Sequence, residues 1–192
     1  MKTTIILALC AALAAPVFAE EPTTALLIID IQDFYFPGGK MPLVGPEAAA
    51  ANAGKILAAF RAEGKPVVHV RHDSEPGGSI HASVAPIEGE KVFTKTEVSC
   101  FNGTEVLAYL KELGIKKLVI VGMQTHMCLE AATRAAHDLG FECIVVSDAC
   151  ATRDLTYGDR TVPAADVHAS TLATLDRIYA KVVDTETFLR GE

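Results

Sequence analysis

Short apolar runs and helix-period segments alternate along nearly the whole chain. Ala25–Asp30, Pro66–Arg71, Lys91–Thr94, Lys117–Gly122, Glu142–Ser147 and Lys181–Asp184 read as strands, rich in Val, Ile and Leu. Between them, Glu47–Glu63, Thr104–Leu113, Met127–Leu139 and Pro163–Tyr179 carry apolar residues at helical spacing. Gly64, Gly114 and Gly140 follow the first three, where a helix commonly stops. Near-continuous apolar strands belong to a parallel sheet buried on both faces. Right-handed crossovers then leave one economical α/β architecture. It is a three-layer α/β/α fold with a doubly wound, mostly parallel six-stranded sheet.

Ligands of such sheets sit outside the carboxyl ends of the strands. Asp30, His72, Lys95 and the Met123–Cys128 turn all fall there. The stretches Ile31–Pro46, Asp73–Glu90 and Ala149–Val162 hold Gly or Pro and no clear periodicity. Loops of this length usually do something, and these are expected to wall or cover a cleft.

The first residues change the domain picture. Lys2, the apolar Ile5–Leu13 and the small-residue end Val17-Phe18-Ala19 have the form of a secretory leader. Residues 1–19 are therefore expected to be a signal peptide cut after Ala19, leaving 20–192 as one domain in the periplasm or secreted. The apolar stretch is too short to span a bilayer, so no membrane association is expected after cleavage.

At 50% apolar and 21% charged residues the chain has the composition of a folded globular protein. A formal charge of −7 and the lack of any basic cluster exclude nucleic acid as an expected partner. A small-molecule substrate is expected instead. Beyond Cys10, the cysteines are Cys100, Cys128, Cys143 and Cys150. Their spacing matches no zinc framework, and whether any pair bridges is open from sequence. No G-x-G-x-x-G or Walker loop follows a strand, so no nucleotide cofactor is expected.

Cys128 is the most informative residue. It lies six positions after Gly122, where strand gives way to helix. Most free cysteines are small buried hydrophobes. A thiol at a helix start, however, meets unpaired N–H groups and the positive end of the dipole, which favour thiolate. Asp30 ends an apolar strand, where partial desolvation would raise its pKa and suit it to proton transfer. Lys95 emerges from a short apolar strand. Each of these two has a plain alternative: a turn cap or a metal ligand for Asp30, and a solvated surface lysine for Lys95.

Taken in order, longer pieces of the chain resemble a known family. They are Leu26-Leu27-Ile28-Ile29-Asp30-Ile31-Gln32-Asp33-Phe34, Lys95 with Ser99–Thr104, and Gly122-Met123-Gln124-Thr125-His126-Met127-Cys128. Val145–Cys150 and His168–Leu172 extend the match. The set resembles the isochorismatase-like cysteine hydrolases, which include nicotinamidases and N-carbamoylsarcosine amidase. The resemblance implies a catalytic triad of Asp30, Lys95 and Cys128, and a cis peptide between Met123 and Gln124. It further implies an oxyanion hole from the backbone N–H groups of Gln124 and Cys128, a homo-oligomer, and hydrolysis of a small amide or related C–N bond through a thioester. Two alternatives stand beside it: isochorismatase-type vinyl ether hydrolysis, which needs no nucleophilic Cys, and a non-catalytic small-molecule binder.

Metal-binding nicotinamidases carry an Asp-x-His pair after the second strand, where this chain reads Arg71-His72-Asp73-Ser74. A metal-independent reaction is therefore expected, with no cofactor. His72 is expected in the cleft, His126 beside the nucleophile. Phe34, Phe36 and Phe101 are expected to form an apolar wall. His69, His137 and His168 are expected to be structural.

Overall fold

The computed structural model describes residues 23–191, so the expected leader, with Cys10, lies outside the described residues. In chain order the elements are β1 Thr24–Ile29, α1 Pro46–Ala62, β2 Val67–His72, β3 Lys91–Lys95, α2 Val106–Glu112, β4 Lys117–Met123, α3 Glu130–Asp138, β5 Glu142–Ala151, β6 Leu155–Tyr157, β7 Arg160–Val162, α4 Ala164–Leu175, β8 Lys181–Val183 and α5 Thr185–Arg190. The main sheet has six strands in the order β3-β2-β1-β4-β5-β8. Every neighbouring pair in it is parallel.

Alternate residues of the central strands fill two cores, one on each face. Leu26, Ile28, Val119 and Val121 pack against α1 through Ala53, Ile56, Leu57 and Phe60. Leu27, Ile29, Leu118 and Ile120 pack against the helical layer that supplies Leu110, Ala132, Ala136 and Leu175. Strand order reverses between β1 and β4, which creates the crevice typical of doubly wound sheets. Ile29 and Gly122 are partners there. Gly122 has φ +135°, and a Cβ would sit 1.9 Å from the Ile29 carbonyl oxygen. Only glycine lets the two central strands stay paired where they open into the site.

Several elements differ from the sequence expectations. The Ala149–Val162 stretch contains the antiparallel hairpin β6–β7 and the end of β5. Strand β5 outruns the expected Ser147 because its pairing skips: Ile120 meets Val145, but Gly122 meets Cys150. Asn52 donates to the Asp148 carboxylate at 3.0 Å, and Thr185 N–H donates to it at 2.8 Å, holding the skipped residues in place. Helix α4 stops at Leu175, short of Tyr179, and Arg177 turns the chain with φ +67°.

Candidate active site

Strands β1, β3 and β4 each end at or beside a group of chemical interest. β1 runs directly into Asp30, which has φ +50°, a left-handed conformation that Asp tolerates better than most residues. That turn drops its carboxylate into the crevice, with 0% exposure. Lys95 is the last residue of β3 and 1% exposed, an extreme burial for a lysine. β4 ends at Met123, whose peptide bond to Gln124 is cis, as the resemblance implies. A single π turn, Thr125–Leu129, then carries Cys128 before α3 begins. The expected helix from Met127 is thus wider-wound over its first turn.

The three side chains meet. Lys95 Nζ lies 2.7 Å from Asp30 Oδ2 and 3.3 Å from Cys128 Sγ. A third acceptor, His72 Nδ1, lies 3.2 Å from the same nitrogen. Among the described residues no hydrogen-bond donor is directed at Asp30 Oδ1, and Lys95 reaches Oδ2 as an ion pair.

Burial dominates the proton affinities here. It raises the Asp30 carboxyl above the usual carboxylate range, with Lys95 pulling the other way. Burial by itself would lower Lys95, but the Asp30 charge holds it up, so the ammonium persists. Burial and the neighbouring Asp30 charge push the Cys128 thiol up to about 12, against the pull of Lys95. Burial therefore works against the thiolate that a helix start favours. A helix end supplies about 0.3–1 kcal/mol, less than the 1.36 kcal/mol of one pKa unit. The site sets the Cys128 thiol beside the Lys95 ammonium, which pairs with the Asp30 carboxyl group.

A cavity of about 310 Å³ opens onto Cys128 and His72. Its apolar walls are Phe34, Tyr35, Met41, Val98 and Met127, and Lys40 and Arg153 bring positive charge to it. The volume suits a small ligand. A hollow of about 370 Å³ lies at the opposite end of the sheet, near Phe60 and Phe188, but has neither Cys nor His in its lining. Chemistry rather than volume distinguishes the two.

Phe36, Phe101 and His126 do not line the cavity that holds Cys128. Phe36 stacks on His81, ring centroids 3.7 Å apart, and Phe101 packs on Phe141 at 6.2 Å in the helical core. Sequence position put all three aromatics near strand ends, but side-chain direction sends only Phe34 into the cavity. His126 Nδ1 turns away to Thr152 Oγ1, at 2.6 Å. His168 Nδ1 similarly meets Thr125 Oγ1 at 2.9 Å and braces the π turn that carries Cys128. Among the described residues no group of three His, Cys, Asp or Glu side chains is disposed to hold a metal ion, and all four cysteines carry free thiols.

Several site residues escaped the sequence reading. Gln32 is wholly buried and grips β2 through its side-chain amide. It accepts from His72 N–H at 2.8 Å and donates to the His72 and Gly78 carbonyls at 3.0 and 2.7 Å. Gln124 accepts from Arg153 Nε at 3.2 Å and donates to Tyr35 Oη at 3.3 Å. Lys40 bonds Ser74 across the mouth, tying the Ile31–Pro46 loop to the Asp73–Glu90 loop. Gln32 sits inside the first family-like piece and Arg153 just beyond the fourth, which was the available signal.

Comparison with known proteins agrees with this geometry. Residues 24–187 match the model of the Isochorismatase domain. The chain belongs to the isochorismatase family of hydrolases. It is 47% identical over 179 residues to the isochorismatase family protein YddQ of Bacillus subtilis, covering 88% of this chain and 99% of that one. Maleamate amidohydrolase of Pseudomonas putida is 30% identical over 86% of this chain and 84% of its own. A solved structure from Oleispira antarctica, described as an isochorismatase hydrolase, superposes with a TM-score of 0.86 at 49% identity, covering 91% of this chain and all of that one. The α/β sheet order and flanking helices are those of the family fold.

Proposed function

We propose that the protein hydrolyses a small carboxamide through a covalent thioester on Cys128. The observation that carries this reading is the position of Lys95 Nζ, 2.7 Å from the Asp30 carboxylate and 3.3 Å from the Cys128 sulfur, whose residue lines the cavity. The family relative that cleaves maleamate, an amide, supports the bond type.

The steps follow from the proton affinities. Asp30 takes the Sγ proton as sulfur attacks the amide carbonyl, so the anion appears only as the new C–S bond forms. Lys95, charged throughout, offsets the negative charge that passes between carboxylate, sulfur and carbonyl oxygen. The backbone N–H groups of Gln124 and Cys128 are proposed to receive the oxyanion, each worth about 10²–10³ in rate for such donors. Protonated Asp30 returns its proton to the leaving nitrogen, and the C–N bond breaks to free an amine or ammonia. Water then attacks the thioester, with Asp30 again as base, and releases the acid and the Cys128 thiol. No metal is assigned to any step. The leader read from residues 1–19 adds export to this proposal.

Mass spectrometry after brief iodoacetamide treatment tests the nucleophile. Alkylation should be selective for Cys128, whose thiol borders the cavity, and should slow markedly in Asp30→Ala. An unchanged rate in Asp30→Ala overturns the proton assignment. Ammonia release from a panel of small amides tests the reaction. Vinyl ether turnover surviving in Cys128→Ala would instead favour isochorismatase-type chemistry.

A further inference from the structure

We propose that His72 works with both ring nitrogens: Nδ1 positions Lys95, and Nε2–H binds the substrate through a second hydrogen-bond acceptor beyond the scissile carbonyl. This rests on the amidase reading above and narrows its substrate class. The substrates are small amides whose acyl part carries a further acceptor, such as a carboxylate, a carbonyl or a ring nitrogen.

A lysine ammonium has three N–H donors and no acceptor. Lys95 is 1% exposed, so water cannot serve those donors. Asp30 Oδ2, Cys128 Sγ and His72 Nδ1 lie at 2.7, 3.3 and 3.2 Å, one acceptor for each. Without His72 one buried N–H is left unpaired, and the ammonium is free to pivot about its two remaining partners. Pairing with a charged ammonium also sets the ring: Nδ1 must be the lone-pair nitrogen, so the neutral imidazole carries its hydrogen on Nε2. His72 lines the cavity beside Cys128. Its backbone is clamped on both sides by the Gln32 amide, at 2.8 and 3.0 Å. His72, on a strand end held by Gln32, therefore borders the space an acyl group would occupy, and its Nε2 is the ring nitrogen left for a ligand. Neither arm of the Gln32 amide touches the triad itself, and its bonds are explained by the need to hold His72 still.

Two substitutions separate the nitrogens. Asparagine places Oδ1 near the position of Nδ1 and has nothing at Nε2; leucine supplies neither. Cys128 alkylation by iodoacetamide reads the Lys95 arrangement independently of any turnover. His72→Leu should alkylate about tenfold more slowly than the natural protein, and His72→Asn should recover most of that loss. Equal rates in the natural protein and His72→Leu overturn the Nδ1 role. For Nε2, kcat/KM is compared for maleamate and cis-crotonamide, which replaces the carboxylate with a methyl group. The natural protein should prefer maleamate, and His72→Asn should lose about tenfold of that preference, chiefly in KM, the scale of one lost hydrogen bond to a charged acceptor. An unchanged preference overturns the substrate role. Turnover of neither amide by the natural protein would count against the amidase reading, while the alkylation series would still decide the Nδ1 role.

Discussion

Strand β2 carries two histidines three residues apart, and each belongs to a different buried charge cluster. His72, at the carboxyl end, meets Lys95, Asp30 and Cys128. His69, wholly buried on the other face, meets Glu90 through Nε2 at 2.8 Å, and Glu90 is held by Arg61 at 2.7 and 2.8 Å. Both clusters combine a carboxylate, a cation and an imidazole. In the second, the Ile87 N–H also serves Glu90 at 3.0 Å, and the Arg61 guanidinium additionally reaches the Ala85 carbonyl. Apart from His69 Nδ1, which has no hydrogen-bond partner among the described residues, its parts bond one another and join α1 to the loop before β3. The first cluster ends in a sulfur and opens on a cavity. Buried charge by itself therefore does not mark a candidate site; a thiol beside it at the edge of a cavity does.

Substitutions should split the clusters cleanly. Cys128→Ala should lower turnover by about 10⁴-fold or more, with a thermal midpoint close to that of the natural protein. Activity within tenfold of normal would erase the distinction between the clusters. Asp30→Asn keeps the shape but removes the base, and should cost about 10²–10⁴-fold in kcat. Lys95→Ala strands a buried carboxylate, so it should destabilise by about 3–5 kcal/mol in denaturant unfolding as well as abolish turnover.

Glu90→Gln belongs to the opposite class. It should cost about 2 kcal/mol of stability while the folded fraction keeps normal kcat/KM. A large kinetic defect there would mean that the two clusters are coupled through β2. The mildest effect is one of pH. Burial would raise the Glu90 carboxyl, but Arg61, the Ile87 N–H and His69 hold it down at about 2, against 4.5 unperturbed. A folded pKa below the unfolded one stabilises the fold above the unfolded value, and the benefit is lost as pH falls through about 2. Chemical denaturation between pH 5 and 2 should show this loss in the natural protein and a shallower slope in Glu90→Gln.

Periodicity made much of this legible. The six strands and the helices between them follow from the apolar pattern, because a strand buried on both faces must be apolar at nearly every position. The convergence of Asp30, Lys95 and Cys128 could be read too, since parallel strands deliver their carboxyl ends to one rim whatever lies between. Side-chain direction was not legible. Phe36, Phe101 and His126 stand beside the right strands in sequence, yet bond to His81, Phe141 and Thr152 instead. The β5 skip was hidden for a similar reason, as it depends on Asn52 and Thr185, far away along the chain.

Local pattern thus settles which segments are strand or helix, and in what order their ends reach the rim, because hydrophobic periodicity acts over neighbouring residues. The proton inventory of the site arises at longer range. Whether Cys128 rests as thiol or thiolate depends on how much water the packed layers exclude and how near Asp30 is brought. Both are sums over groups up to about a hundred residues apart in the chain, and they exist only once the sheet has closed around them.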